Sequence, residues 1–188
     1  MSKVLMFMYD EMADFEVTLA CQAVTLSKRE LITVAYEKKT LTSNSGIMYI
    51  PHRKVTDIES LDDVEGLIIP GGPNIEMRPE LTELIKRLNA ANKFLAAICG
   101  GPQFLARSGV LTGHKYTTSL TPEYYKENNM EDPFPRDTFV RNRIIRDGNI
   151  VTALPTALID FAVEIGNLLG LFRNPEEKIQ MLKSFKQD

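Results

Sequence analysis

Short apolar runs rich in β-branched residues alternate along the chain with segments whose apolar positions recur at three and four. This is the pattern of βαβ units around a mostly parallel sheet. Residues 3–9 predict a buried strand ending in the Asp10-Glu11 loop, and residues 31–36 a second strand. Residues 13–28 predict a helix facing inward through Phe15, Leu19, Ala23 and Leu26. Residues 40–50, broken by Ser43-Asn44-Ser45-Gly46, predict a hairpin around a glycine-containing turn. Residues 66–70 and 94–98 are uninterrupted apolar runs, as expected of strands covered on both faces. Between them, residues 79–92 form a helical pattern with Leu81, Leu84, Ile85 and Leu88 on one side.

Gly101-Pro102 opens another helix with proline at its first position. Residues 115–119 predict a strand, 122–127 a short helix, and 128–137 a surface loop. Residues 138–146 and 149–153 predict two strands joined by Asp147-Gly148, a strong hairpin signal. Residues 156–171 predict a long helix with Leu158, Phe161, Ile165, Leu168 and Leu169 inward. Asn174-Pro175-Glu176-Glu177 then supplies an N-cap, a first-position proline and first-turn acids for a last amphipathic helix. Neither a repeat nor a linker divides residues 1–188, so one α/β domain is expected.

Composition narrows the function. The 22 basic and 25 acidic residues give a net charge of −3, which argues against nucleic acid as the main partner. Two cysteines, Cys21 and Cys99, make neither a disulfide framework nor a zinc set, so no metal is expected. The apolar run Val4 to Met8 is too short for a secretion signal or a membrane span, and a cytoplasmic protein with reduced thiols is expected.

In an open parallel sheet, ligands gather at the carboxyl ends of the strands. Ala97-Ile98-Cys99-Gly100-Gly101-Pro102 reads there as a thiol version of the nucleophile elbow, a tight turn between strand and helix. The helix start behind Cys99 is expected to favour its thiolate; the alternative is a small buried hydrophobe. Glu16 reads by pattern as a solvated first-turn acid, or else as a buried carboxyl that faces Cys99 and hydrogen-bonds its thiolate. Asp14 is expected to be the solvated member of that pair of acids. Backbone amides near Gly72 and Gly100 are candidates to hold an oxyanion, with Gly71, Asn74 and Ser119 as candidate pocket walls. No G-x-G-x-x-G follows a strand, so no dinucleotide fingerprint is present. His52 and His114 read as surface residues and Cys21 as packing.

Taken together, these residues resemble the ThiJ/PfpI superfamily over nearly the whole chain. The resemblance rests on Lys3-Val-Leu-Met-Phe7, Ala13-Asp-Phe-Glu16, Leu67-Ile-Ile-Pro-Gly-Gly72, and above all Ala96-Ala-Ile-Cys99-Gly-Gly-Pro102, followed by Lys115-Tyr-Thr-Thr118. It implies a flavodoxin-like three-layer α/β sandwich, Cys99 as nucleophile, Glu16 as its hydrogen-bonded partner, an oxidation-sensitive thiol and a homodimer. Two positions depart from the family pattern. PfpI-type hydrolases usually carry histidine where this chain has Gly100, and the deglycase-like branch carries one where this chain has Ser119. Peptide hydrolysis needs an acid for the departing amine, so a small-molecule substrate is expected, a reactive carbonyl or an amide, with no organic cofactor. The rival expectation is a redox-responsive binding protein that senses oxidants through Cys99 without turnover.

Overall fold

In the computed structural model, which describes residues 1–185, the apolar runs assemble into one seven-stranded sheet. Its strands are β1 (Lys3–Phe7), β2 (Glu30–Ala35), β5 (Arg53–Lys54), β6 (Val64–Ile69), β7 (Phe94–Ile98), β8 (Ile144–Asp147) and β9 (Ile150–Ala153). The hairpin predicted over 40–50 forms separately as β3 (Leu41–Thr42) and β4 (Met48–Tyr49). The sheet runs β5-β2-β1-β6-β7-β9-β8, parallel throughout except for the β8–β9 hairpin. The central strands β1, β6 and β7 are almost wholly buried, as continuous apolar runs require.

The helices are α1 (Thr18–Leu26), α2 (Pro79–Ala90), α3 (Pro102–Arg107), α4 (Pro122–Glu127), α5 (Leu158–Leu168) and α6 (Pro175–Phe185). Helix α1 packs on α5, and α5 lies against β7 and β9; α2 lies against β6 and β7 and touches α3. The predicted inner face of α2 is the one buried, with Leu81, Leu84, Ile85 and Leu88 nearly inaccessible. The predicted cap of α6 also forms, with the Asn174 side chain accepting the Glu177 amide at 2.9 Å. Together the mostly parallel sheet and its flanking helices form the flavodoxin-like α/β architecture. Residues 186–188, the end of the expected single domain, lie outside the described residues.

Four local expectations are corrected by tertiary bonds. The segment 13–28 is not one helix: Asp14–Glu16 is a 3-10 turn, and α1 starts at Thr18. The Ala13 amide is taken by the Gly71 carbonyl at 2.8 Å, which holds this turn against the end of β6 and shifts the phase of α1. Val17, Ala20, Ala23 and Val24 therefore face the core, while Phe15 and Leu26 are more than half exposed. Residues 115–119 are not a strand: the Thr117 amide bonds the Thr152 hydroxyl at 2.9 Å, and Tyr116 makes one isolated bridge to Phe139. The strand predicted from 138 begins only at Ile144, because Arg136–Thr138 turns and pairing with β9 starts at Ile144 opposite Ala153. Finally, 128–137 is not simply a surface loop. Phe134 is buried, stacks on Tyr116 with ring centres 5.3 Å apart, and is flanked by an Arg136–Asp132 ion pair.

The chain lays β2 on one side of β1 and β6 on the other, so the strand order reverses between β1 and β6. Such a reversal leaves a crevice at the carboxyl ends of the strands. Glu16 follows β1, Gly71 follows β6 and Cys99 follows β7, and all three reach that crevice.

Candidate functional site

Cys99 sits at φ 62°, in the left-handed region that a side chain occupies only at a cost of about 1–3 kcal/mol, which the surrounding structure must supply. Its backbone is held on both sides. Its amide donates to the Ala153 carbonyl at 2.8 Å, and its own carbonyl accepts from the Ser119 amide at 3.1 Å and the Thr118 hydroxyl at 2.9 Å. The sharp turn thus lifts the side chain off β7 as the strand-turn-helix sequence predicts.

Glu16 is brought to the thiol by the turn after β6. Its Oε2 accepts the Gly71 amide at 2.8 Å, and its carboxyl is in hydrogen-bonding contact with Cys99. Gly71 is the hinge of this meeting. A Cβ there would lie 2.7 Å from Cys99 Cβ, 2.8 Å from Glu16 Oε2 and 3.0 Å from Cys99 Sγ, so no side chain fits. Gly72, at φ 147°, is similarly restricted, with the Glu11 carbonyl 2.6 Å from where a Cβ would stand. The Gly71 amide is occupied by Glu16. Among the described residues, no hydrogen bond engages the Gly72 amide. The Gly100 amide faces the Cys99 sulfur.

The electrostatics correct two expectations. Asp14 is not solvated: it is buried, and its carboxylate accepts from the Ser45 hydroxyl at 2.6 Å and the Tyr49 hydroxyl at 2.8 Å. Burial works to raise its pKa, but those hydrogen bonds prevail and hold it below the usual aspartate range. Glu16, also buried, moves the other way, because burial outweighs the donors from Gly71 and Cys99. The thiolate expected from the helix start is overruled as well. Burial pushes the Cys99 thiol up to about 11, only partly opposed by the Ser119 hydroxyl, which donates to Sγ at 3.4 Å, and by the Gly100 amide. The resting thiol therefore keeps its proton at neutral pH, beside a carboxyl with raised proton affinity.

The other predicted residues fall into place around this pair or away from it. Ser119 is at the thiol, its hydroxyl 3.4 Å from Sγ, where the resemblance implies a histidine in the deglycase-like branch. Asn74 is turned to local work, its side-chain oxygen accepting the Glu76 amide at 3.0 Å. His52 is exposed and bonded to Thr33, and His114 stands 3.8 Å from Asp147 beside the β8–β9 turn. Cys21 is a half-buried packing residue whose thiol burial pushes up to about 12. Among the described residues, no three His, Cys, Asp or Glu side chains gather as a metal ligand set. No helix there is long and apolar enough to cross a membrane.

Sequence reasoning missed Tyr9. This buried phenol donates to the Pro70 carbonyl at 3.0 Å and packs between Phe7 and Phe104, with ring centres 5.4 and 5.5 Å away. It pins the peptide that leads into Gly71, and its own proton is held by burial and by the nearby Glu16 and Cys99. Its place just beyond β1, on the same edge as Cys99, was the signal available.

The profile of the DJ-1/PfpI family matches residues 2–168, and the chain belongs to that family. An uncharacterized protease, YdeA of Bacillus subtilis, is 28% identical over 185 residues, covering 97% of this chain and 90% of its own. The deglycase PfpI of Pyrococcus furiosus is 25% identical over 121 residues, 63% of this chain and 72% of its own. Among solved structures, the DJ-1 superfamily protein Atu0886 of Agrobacterium tumefaciens superposes with a TM-score of 0.84 at 25% identity, over 100% of both chains. Oxidized Toxoplasma gondii DJ-1 shares the fold, with a TM-score of 0.78 at 21% identity over 99% of this chain and 98% of its own.

Proposed function

We propose that the protein acts on small reactive carbonyl compounds through Cys99 and Glu16. The observation that carries this reading is the strained Cys99 elbow with its sulfur held against the buried Glu16 carboxyl. Glu16, whose proton affinity is raised by burial, takes the thiol proton as Sγ bonds to the carbonyl carbon. The carbonyl π pair moves to oxygen, for which the Gly72 amide, and the Gly100 amide once it leaves the sulfur, are the candidate donors, and Glu16 then returns the proton to that oxygen. The adduct is a hemithioacetal on Cys99. With a dicarbonyl such as glyoxal, Glu16 then moves the proton of the new carbinol carbon to the neighbouring carbon, giving a thioester. Water cleaves it to glycolate and the free thiol, so atoms and charge balance with no cofactor. Ser119 steadies the sulfur as its proton leaves. The deglycase name of one relative is in keeping with a carbonyl substrate.

Amide hydrolysis is the less favoured branch, because both histidines stand on other parts of the fold and, among the described residues, no histidine is positioned to protonate an amine leaving group. The second reading is a thiol that meets peroxide and signals its oxidation without turnover; because the resting thiol is protonated, it too needs Glu16 to take the proton as sulfur is oxidised. Consumption of glyoxal by wild type, Cys99→Ser and Glu16→Gln separates the two. The carbonyl reading expects loss in Cys99→Ser and a fall of at least about a hundredfold in Glu16→Gln, the usual effect of removing a positioned base. Equal rates in wild type and Cys99→Ser overturn it.

A homodimer is proposed with it. Exposed Phe15, Ile47, Met48 and Ile50 lie on the 3-10 turn and the β3–β4 hairpin, which Asp14 ties together, and a second copy is the occupant that suits this apolar face.

A further inference from the structure

A cleft of about 610 Å³ lies beside the elbow, between α3 and the chain that follows α4. Ile75 and Met130 give it apolar walls; Gln103, Arg107, Tyr125 and Glu131 give it polar ones. Three features of these polar groups are unusual together. Tyr125 is 3% exposed, and its hydroxyl has no hydrogen-bond partner among the described residues, a condition that costs about 1–3 kcal/mol when nothing satisfies it. Arg107 and Glu131 are both exposed, and neither has an ion-pair partner among the described residues; Arg107 uses one donor on the Ile75 carbonyl at 2.6 Å. Gln103 is buried, and its amide nitrogen stands 3.8 Å from where a Cβ on Gly100 would be, so one side chain borders both the cleft and the elbow.

We propose that this cleft binds a free α-amino acid with a polar side chain. Arg107 takes the carboxylate, Glu131 takes the ammonium group, and the side chain enters between Ile75 and Met130 to meet the Tyr125 hydroxyl. A neutral ligand would gain nothing from either of these solvated charges, and a simple anion would meet Glu131 with like charge. A zwitterion answers both, since charge-assisted hydrogen bonds at each end are the strong ones. The proposal is independent of the chemistry at Cys99, although Gln103 gives an occupant a direct neighbour at the elbow.

L-serine, N-acetyl-L-serine (no ammonium) and L-serinamide (no carboxylate) are the probes, titrated into the labelled protein with backbone amide shifts as the readout. The expected result is saturable binding of L-serine, with shifts at Ile75, Ala106 and Met130. Either blocked analogue should bind at least about tenfold more weakly. Glu131→Gln and Arg107→Gln should each weaken L-serine by a similar factor, and Cys99→Ser should leave its binding unchanged. Glu131→Gln breaks no contact within the described residues, so it decides the matter even if Arg107→Gln unfolds. Binding of N-acetyl-L-serine equal to that of L-serine, or no saturable shift with L-serine, overturns the proposal. Because binding rather than turnover is read, and Cys99→Ser is included, failure of the carbonyl reading leaves this result interpretable.

Discussion

Two carboxyl groups two residues apart illustrate how far environment, not residue type, decides chemistry. Asp14 and Glu16 are both buried on one 3-10 turn, yet Asp14 is surrounded by hydroxyl donors and titrates low, whereas Glu16 is buried with fewer donors and titrates high. Their contributions to stability therefore run in opposite directions with pH. Glu16 keeps its proton longer in the folded chain, so stability should fall as pH rises from its ordinary value of 4.5 toward its raised folded value. Asp14 loses its proton more readily when folded, so its contribution is present above its ordinary 3.8 and is lost as pH falls through its lowered folded value. Denaturant melts across acidic and neutral pH should show Glu16→Gln removing the first slope and Asp14→Asn the second. Parallel curves for wild type and Glu16→Gln would mean that the carboxyl is not held as described.

Gly71 carries an equally local prediction. Adding a methyl group at Gly71 forces Cys99 and Glu16 apart, because both side chains already crowd that position. Overpacking of this kind typically costs about 1–3 kcal/mol. Gly71→Ala should lower stability by that order and abolish the effect of Glu16 on the alkylation rate of Cys99, measured against pH in a Cys21→Ser background. If Gly71→Ala reacts like the unmodified site, the contact is not the one that organises the pair.

At the scale of elements, the last helix is attached by charge as much as by apolar contact. Glu164, at the inner side of α5, is 9% exposed and paired with Lys178 of α6 and with Arg146 of β8 at 3.1 Å. Burial alone would raise its pKa, but Lys178, Asn167 and Arg146 prevail and lower it. This clamp is therefore present above the ordinary glutamate value of 4.5 and lost as pH falls through the lowered one. Glu164→Gln should destabilise the protein by about 1–3 kcal/mol, less than for a fully buried pair because Arg146 and Lys178 are partly exposed, with α6 exchanging its amide hydrogens before the sheet does. Uniform protection across α6 and β7 in that variant would show that the helix is held by packing instead. The elements also show what pattern alone can recover. α2, the β8–β9 hairpin and the α6 cap are legible because their signals are local: an apolar face, Asp147-Gly148 and Asn174-Pro175. Residues 13–16 and 115–119 mislead because their amides are taken by distant groups, the Gly71 carbonyl, the Thr152 hydroxyl and the Cys99 carbonyl.

For the whole molecule, the exposed apolar side chains on the β3–β4 hairpin bear on association. Met48 is 72% and Ile50 70% exposed, beside a turn that Asp14 bonds to the segment carrying Glu16. Sedimentation should find a dimer, and Met48→Asp or Ile50→Asp should shift it to monomer. Monomer in wild type at every accessible concentration would rule out pairing through this face.

The chain by itself determined the sheet, most helix faces and the elbow, because each is written in neighbouring residues: continuous apolar runs, three-and-four spacing, and small residues around Cys99. Which charges lie inside, and how they behave there, depends instead on contacts between distant parts of the chain. Glu16 and Asp14 look alike in a one-dimensional pattern, and nothing local distinguishes the hydroxyl donors that reach Asp14 from 31 and 35 residues away. The protonation of Cys99 was likewise beyond the sequence, since the helix start that favours a thiolate is visible there, whereas the burial that outweighs it arises only when β1, β6 and β7 close around the crevice.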